Sequence, residues 1–172
     1  GLALDKELLA DEESWRAALA DLSIPRRINL DGQWYPAVVL RIGTKSARIG
    51  IEGVMDDEDG HWIPSRDVQW ASKANEAEEV GPKAKVAGDL LDVGDVVLVR
   101  KLFDEEGKFD RWSLRQVSQI QGAFVAMDVN TGRVIAIQGG FSYENSVYNR
   151  ATQADRQPGS SFKPFVYASA LD

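Results

Sequence analysis

From Leu4 to Leu22 the apolar positions Leu4, Leu8, Leu9, Trp15, Ala18, Leu19 and Leu22 recur mostly at intervals of three, four or seven, with acidic residues between them. That spacing predicts one or two amphipathic helices ending before Pro25, with a stripe that packs on a core. After Pro25 the period changes to two. Trp34 to Ile42, Ser46 to Glu52 and His61 to Trp70 read as strands, with Gly43-Thr44-Lys45 as a tight connection and Met55 to Gly60 as an acidic hairpin tip. Val96 to Phe103 and Arg111 to Val117 add two more, joined around Glu106-Gly107. Five short strands over this span predict a small closed or nearly closed antiparallel barrel. Ala71 to Ala87, rich in Ala, Lys, Glu and Pro, interrupts the pattern and reads as a solvated loop between the third and fourth strands.

A different pattern starts at Gly122. Ala123 to Val129 and Arg133 to Gln138 are apolar strands around Asn130-Thr131-Gly132, a turn sequence that makes them a hairpin. Gly139-Gly140 ends the hairpin, a polar stretch runs through Asn149, and Pro164 to Leu171 reads as an apolar helix. The expected organisation is a helical linker over residues 1–24, a barrel over 25–120 and the opening part of a second domain over 121–172.

The net charge of −7 is unevenly placed. Beyond Gln121 the acidic residues Asp128, Glu144, Asp155 and Asp172 balance Arg133, Arg150, Arg156 and Lys163, so the excess lies in the barrel half. That excess argues against nucleic acid or anionic lipid as its partner, since phosphate binding draws on Lys and Arg. No apolar run reaches the roughly 18 residues of a membrane-spanning helix, and Gly1 to Asp11 lacks the pattern of a signal peptide. Any export or membrane anchoring is therefore expected to be specified outside this chain. The chain has no cysteine, which removes disulfides and thiolate metal sites.

The chemistry concentrates in Pro158-Gly159-Ser160-Ser161-Phe162-Lys163. A serine hydroxyl is a poor nucleophile at neutral pH, and acyl transfer requires a base against it and donors against the developing oxyanion. A helix starting at Ser160 places Lys163 one turn on and on the same side. Phe162 and Phe165 are positioned to desolvate its amine, and the free N–H groups of the helix start face an anion. Gly159 removes side-chain bulk where a substrate backbone would approach. The expected catalytic pair is Ser160 as nucleophile and Lys163 as base, with no cofactor and no metal. Taken alone, a Ser-x-x-Lys match is weak, since about half a match is expected by chance in a chain of this length.

Its surroundings are more specific. Asn149-Arg150-Ala151-Thr152-Gln153-Ala154 followed by Arg156-Gln157-Pro158-Gly159-Ser160-Ser161-Phe162-Lys163-Pro164-Phe165 closely resembles the transpeptidase segment of class A penicillin-binding proteins. Ala126-Met127-Asp128-Val129-Asn130-Thr131-Gly132-Arg133-Val134, with Gly139-Gly140, resembles that family's first core hairpin. The roles of its Ser-x-x-Lys element are general knowledge of the family and are inherited here. Upstream, Gly94-Asp95-Val96-Val97-Leu98-Val99 and Trp112-Ser113-Leu114-Arg115-Gln116-Val117 more loosely resemble the closing strands of the OB-like domain inserted in one subgroup.

The resemblance implies a mainly β chain with some α: a helical segment, an OB-like antiparallel barrel, then the first hairpin and nucleophile helix of an incomplete transpeptidase core. It also implies a bifunctional peptidoglycan synthase, with a glycosyltransferase ahead of residue 1, anchored in the inner membrane and working on its periplasmic side. Its substrates would be peptidoglycan stem peptides, and β-lactams would trap Ser160. The family also needs a Ser-x-Asn and a Lys-Thr-Gly motif, and neither occurs here as a plausible site. The chain alone is therefore expected to be inactive. The alternative is a regulatory or docking module, whose barrel binds a lipoprotein activator or a glycan.

Other features have plainer readings. His61, the only histidine, has no cysteine companions and reads as a strand residue beside the acidic tip. Met55 to Gly60 fails as a calcium loop, because the first and twelfth positions fall on Met55 and Arg66. It reads as a solvated turn, as does Asp104 to Gly107. Trp34, Tyr35, Trp62, Trp70 and Trp112 are either core or stacking platforms.

Overall fold

The apolar run within Trp34 to Ile42, with Pro36 to Val39 all buried, forms the central strand of the first unit, and the remaining strands assemble on either side of it. The computed structural model describes residues 2–26, 28, 32–74, 80–118, 122–140, 149–155 and 159–171, and the chain divides into two compact units, Gly1–Val117 and Ser118–Asp172. The first contains helix α1 (Glu12–Asp21) and strands β1 (Trp34–Ile42), β2 (Ala47–Ile51), β3 (His61–Ile63), β4 (Ser72–Ala74), β5 (Val80–Lys83), β6 (Val96–Phe103) and β7 (Phe109–Arg115). The second contains β8 (Phe124–Met127), β9 (Val134–Gln138) and α2 (Lys163–Leu171).

The first unit is a five-stranded antiparallel sheet in the order β3-β2-β1-β6-β7. It curls until its edges meet through side chains: the His61 and Trp112 rings are 5.6 Å apart edge-on, and Arg111 of β7 pairs with Asp67, just past β3, at 2.6 Å. This is the nearly closed barrel expected from five short alternating strands. Ala37, Val39, Ile49, Ile51, Val99 and Trp112 fill its interior. On the outer face of β1, Val38 lies under α1 with Trp15 and Leu19. β1 is therefore buried on both faces, which explains its near-continuous apolar run.

Helix α1 is held by caps and arginines. The Asp11 carboxylate accepts from the Ser14 backbone N–H at 2.8 Å, satisfying one of the orphan donors of the first turn. At the other end, the Arg26 guanidinium donates to the carbonyls of Leu19, Ala20 and Leu22 and pairs with Glu52 at 3.0 Å. Arg16 donates to the carbonyls of Ile51 and Val54, pinning the helix to the end of β2.

Four expectations are corrected. The helical stripe does not begin at Leu4: Leu4 N–H donates to Gly94 and Val96 N–H to Leu2, so the first residues lie extended beside β6. Leu4 is buried by that pairing, and its helical spacing with the later leucines is incidental. The third strand ends at Ile63, because Pro64 has no N–H for the ladder and Ser65–Asp67 turn into a 3-10 helix. The last strand of the sheet runs Phe109–Arg115, starting two residues before the expected Arg111 and stopping two short of Val117. Ala71 to Ala87 is not a plain solvated loop. It contains the β4–β5 hairpin, anchored by a 3.0 Å bond from Ala84 N–H to the Ala71 carbonyl and by buried Ala71, Ala84 and Ala87. Small side chains let that backbone reach the core; residues 75–79 lie outside the described residues.

In the second unit β8 and β9 form the expected hairpin. The Asp128 carboxylate accepts from the N–H groups of Asn130 at 2.7 Å and Thr131 at 3.3 Å, and these bonds hold its pKa below the usual carboxylate value. Gly132 supplies the positive φ of 68° that closes the turn. Both faces of the hairpin carry exposed apolar side chains, among them Phe124, Ile135 and Ile137.

Candidate active site

Gly159–Phe162 form a 3-10 turn that runs directly into α2 at Lys163. The helix thus begins as a tighter turn than an α-helical start at Ser160, and the difference favours the pairing, since residues three apart eclipse one another in a 3-10 turn. Ser160 and Lys163 are both exposed, and no hydrogen bond joins them among the described residues. Gly159 has φ 50°, and a Cβ there would meet nothing within 4 Å, so the space in front of the turn is open. The Phe162 and Phe165 rings lie 5.8 Å apart but are 56% and 69% exposed. Within the described residues they stack on each other and do not enclose the Lys163 amine. Arg156, Gln157 and Pro158, which belong to the quoted motif, and Asp172 lie outside the described residues.

The approach to this turn is anchored in a way the composition did not reveal. Arg150 N–H donates to the Gly139 carbonyl at 2.8 Å, tying residues 149–153 to the end of β9. Asn149 organises that tie. Its side-chain oxygen accepts from Ala151 N–H at 3.0 Å, its N–H donates to the Gln153 side chain at 2.6 Å, and its carbonyl accepts from Gln153 N–H at 2.8 Å. A Cβ at Gly139 would overlap the Asn149 side-chain oxygen and stand 2.8 Å from its Cα. From the sequence, Gly139 reads only as a hairpin terminator. A glycine pair followed at a distance by an Asn-x-Ala turn was the available signal, but the contact between them is long-range.

In the first unit the aromatic residues divide. Trp34 and Trp112 are core, Tyr35 meets the Trp112 ring edge-on at 5.5 Å, and Arg41 lies over Trp62 at 5.2 Å. Trp70 is 48% exposed, its indole N–H held by the Asp67 carbonyl at 2.9 Å. It lines a cleft of about 590 Å³ whose walls include Leu91, Val96 and Leu114. Lys73 and Asp92 pair at 2.8 Å on that cleft, and the pairing raises the lysine pKa and lowers the carboxylate's. His61 is buried in β3, with Nε2 2.9 Å from the Met55 carbonyl. In the acidic tip, Asp56 pairs with Arg48 at 2.9 Å.

Comparison with known proteins gives this geometry its context. A family model described as the penicillin-binding protein OB-like domain matches residues 2–120, and one described as the penicillin binding protein transpeptidase domain matches 122–172. The chain is 38% identical over 143 residues to penicillin-binding protein 1A of Vibrio cholerae, covering 82% of this chain and 16% of that protein. It is 34% identical over 160 residues to penicillin-binding protein 1A of Rickettsia typhi, covering 93% and 18%. The chain therefore spans less than a fifth of these curated relatives. The crystal structure of penicillin-binding protein 1A from Haemophilus influenzae superposes with a TM-score of 0.58 at 28% identity, over 94% of this chain and 20% of that one. The chain belongs to the class A penicillin-binding proteins with an inserted OB-like domain, and holds that domain together with the beginning of the transpeptidase domain.

Proposed function

We propose that this chain is part of a peptidoglycan synthase, with Ser160 as the nucleophile of its D,D-transpeptidase and Lys163 as the base. The observation that carries the reading is the Ser-x-x-Lys pair at a 3-10 turn entering α2, inside the stretch matched by the transpeptidase family model. In the complete enzyme the Ser160 Oγ attacks the carbonyl between the two terminal D-alanines of a stem peptide, and Lys163 takes its proton. The C–N bond breaks, the terminal D-alanine leaves with a proton, and the acyl group on Ser160 passes to the amine of a neighbouring stem, freeing the serine. The Ser160 N–H is one donor to the oxyanion. A β-lactam carbonyl takes the same attack and leaves an acyl-enzyme.

We also propose, from the same resemblance, that a glycosyltransferase domain precedes residue 1 and that the enzyme works on the periplasmic side of the inner membrane. The domain limits we propose are 1–24, 25–120 and 121–172. In the full-length synthase, Ser160→Ala should abolish labelling by a fluorescent penicillin and abolish crosslinking, with folding unchanged; persistent labelling would overturn the assignment. This chain alone lacks the Ser-x-Asn and Lys-Thr-Gly motifs and should not label at a useful rate.

The cleft beside Trp70 favours a second role for the barrel, as a docking site for a lipoprotein activator or a glycan. Deleting residues 27–117 from the full-length synthase should then spare acylation while removing the partner's effect. Loss of acylation on deletion would count against a purely docking role.

A further inference from the structure

We infer that Asn149 is a positioning residue for acylation, setting where the Ser160 turn stands relative to the end of β9. The inference rests on the proposal that Ser160 is the nucleophile, and it concerns the second unit alone.

Several backbone and side-chain bonds meet at this residue or its immediate neighbour: Arg150 N–H to Gly139, Ala151 N–H to the Asn149 side chain, Asn149 N–H to Gln153, and the N–H groups of Thr152 and Gln153 to the Asn149 carbonyl. All but the first use Asn149 itself, and the side-chain oxygen that accepts from Ala151 is the atom against which Gly139 is packed. A short side chain with an acceptor at that distance folds the backbone into an Asx turn, which neither alanine nor a longer side chain reproduces. Gly139 is bare because any Cβ there would occupy the same space. The two residues therefore form one junction, with the hairpin on one side and the turn at residues 149–153 on the other.

What the junction controls follows from chain length. Only four residues separate Asp155, just past the turn, from Ser160, a tether of about 17 Å at full extension. The position of residues 149–153 therefore bounds where the serine turn can stand. Acyl transfer is steep in position: a displacement of about 1 Å arising away from the chemistry can slow it about 100-fold. A residue that touches neither substrate nor Ser160 can thus act on the acylation step through the segment it fixes.

The test uses the full-length synthase and a fluorescent penicillin, separating the non-covalent binding constant from the acylation rate constant and recording the melting temperature. Asn149→Ala should lower the acylation rate constant by about 10- to 100-fold, with non-covalent binding and melting temperature close to the unsubstituted protein. Asn149→Asp retains the length and the acceptor for Ala151 N–H, and should restore the rate to within about 3-fold. Gly139→Ala should slow acylation in the same way, and the double variant Gly139→Ala/Asn149→Ala should be no slower than the worse single one, since both disrupt one junction. Ser160→Ala is the control on the underlying reading. If Ser160→Ala still labels, that reading fails. If Ser160→Ala is dead but Asn149→Ala acylates at the normal rate, the inference fails and the reading stands. If Asn149→Ala and Asn149→Asp are equally slow with equally lowered melting temperatures, Asn149 supports the fold alone and the inference is overturned.

Discussion

Replacing Gly50 with alanine sets two effects of opposite sign against each other. Gly50 lies in β2 beneath α1, and a methyl group there would meet three carbons of the Trp15 ring at 2.5, 2.6 and 2.9 Å. Intrinsic backbone preference favours the change, since glycine inside a strand costs about 0.5–1 kcal/mol relative to alanine. Packing opposes it, because an added methyl in a filled core costs about 1–3 kcal/mol. The ring has little room to yield: Trp15 is 2% exposed, and the neighbouring Arg16 is bonded to the carbonyls of Ile51 and Val54. Packing should therefore win, with a net loss of about 1–2 kcal/mol. At a urea slope of about 1–3 kcal/mol per molar, that lowers the unfolding midpoint by roughly 0.3–2 M. Tryptophan fluorescence is a clean reporter, because Trp15, Trp34, Trp62, Trp70 and Trp112 all belong to the first unit. Repeating the substitution in a Trp15→Leu background should remove the penalty and leave alanine neutral or favourable. A raised midpoint for Gly50→Ala with Trp15 in place, or a cost that persists in the Trp15→Leu background, would refute the reasoning.

Arg26→Lys should cost about 1.5–3 kcal/mol in the same denaturation assay, because one ammonium cannot serve the carbonyls of Leu19, Ala20 and Leu22 and the Glu52 carboxylate together. An unchanged midpoint would show the helix end to be held by packing alone. Asp67→Ala should cost about 3 kcal/mol, the low end for a broken buried pair, since Arg111 keeps Asp110 as a partner and is 27% exposed; a loss below measurement would place the barrel closure in the aromatic contacts around Trp112. The Asp11 carboxyl is held below its ordinary value of 3.8, first by the Ser14 hydroxyl and then by the Ser14 N–H. A depressed folded-state pKa gives stability that is complete above the unfolded value and is lost as pH falls through the folded one. Asp11→Asn keeps a capping oxygen but does not titrate, so its stability should fall less steeply than the native chain's from about pH 4 downward. Parallel pH curves would remove Asp11 from the acid response.

Elements built on long apolar runs were legible from the amino-acid order. β1 and β6 have the expected ends because apolar side chains recur along most of their length. The β8–β9 turn was equally plain, since Asp128 and Gly132 satisfy its backbone locally. The turn that carries Ser160 and Lys163 was legible for a related reason: a spacing of three puts both on one short helical stretch, whatever surrounds them.

What the sequence could not supply depends on contacts between distant residues. Leu4 carries helical spacing but lies extended, because the Gly94 carbonyl takes its N–H. Ala71, Ala84 and Ala87 sit in a charged, alanine-rich stretch that reads as solvated, yet they are buried, since whether an alanine is covered depends on what packs over it. Gly50 and Gly139 look alike as letters; one makes room for the Trp15 ring, the other for Asn149. Local order along the chain determined the long strands β1 and β6, the β8–β9 turn and the helical spacing of Ser160 and Lys163. Only the tertiary structure decided which edges close the barrel, which small residues reach the core and what ties residues 149–153 to the end of β9, because each is a contact between segments far apart in the chain.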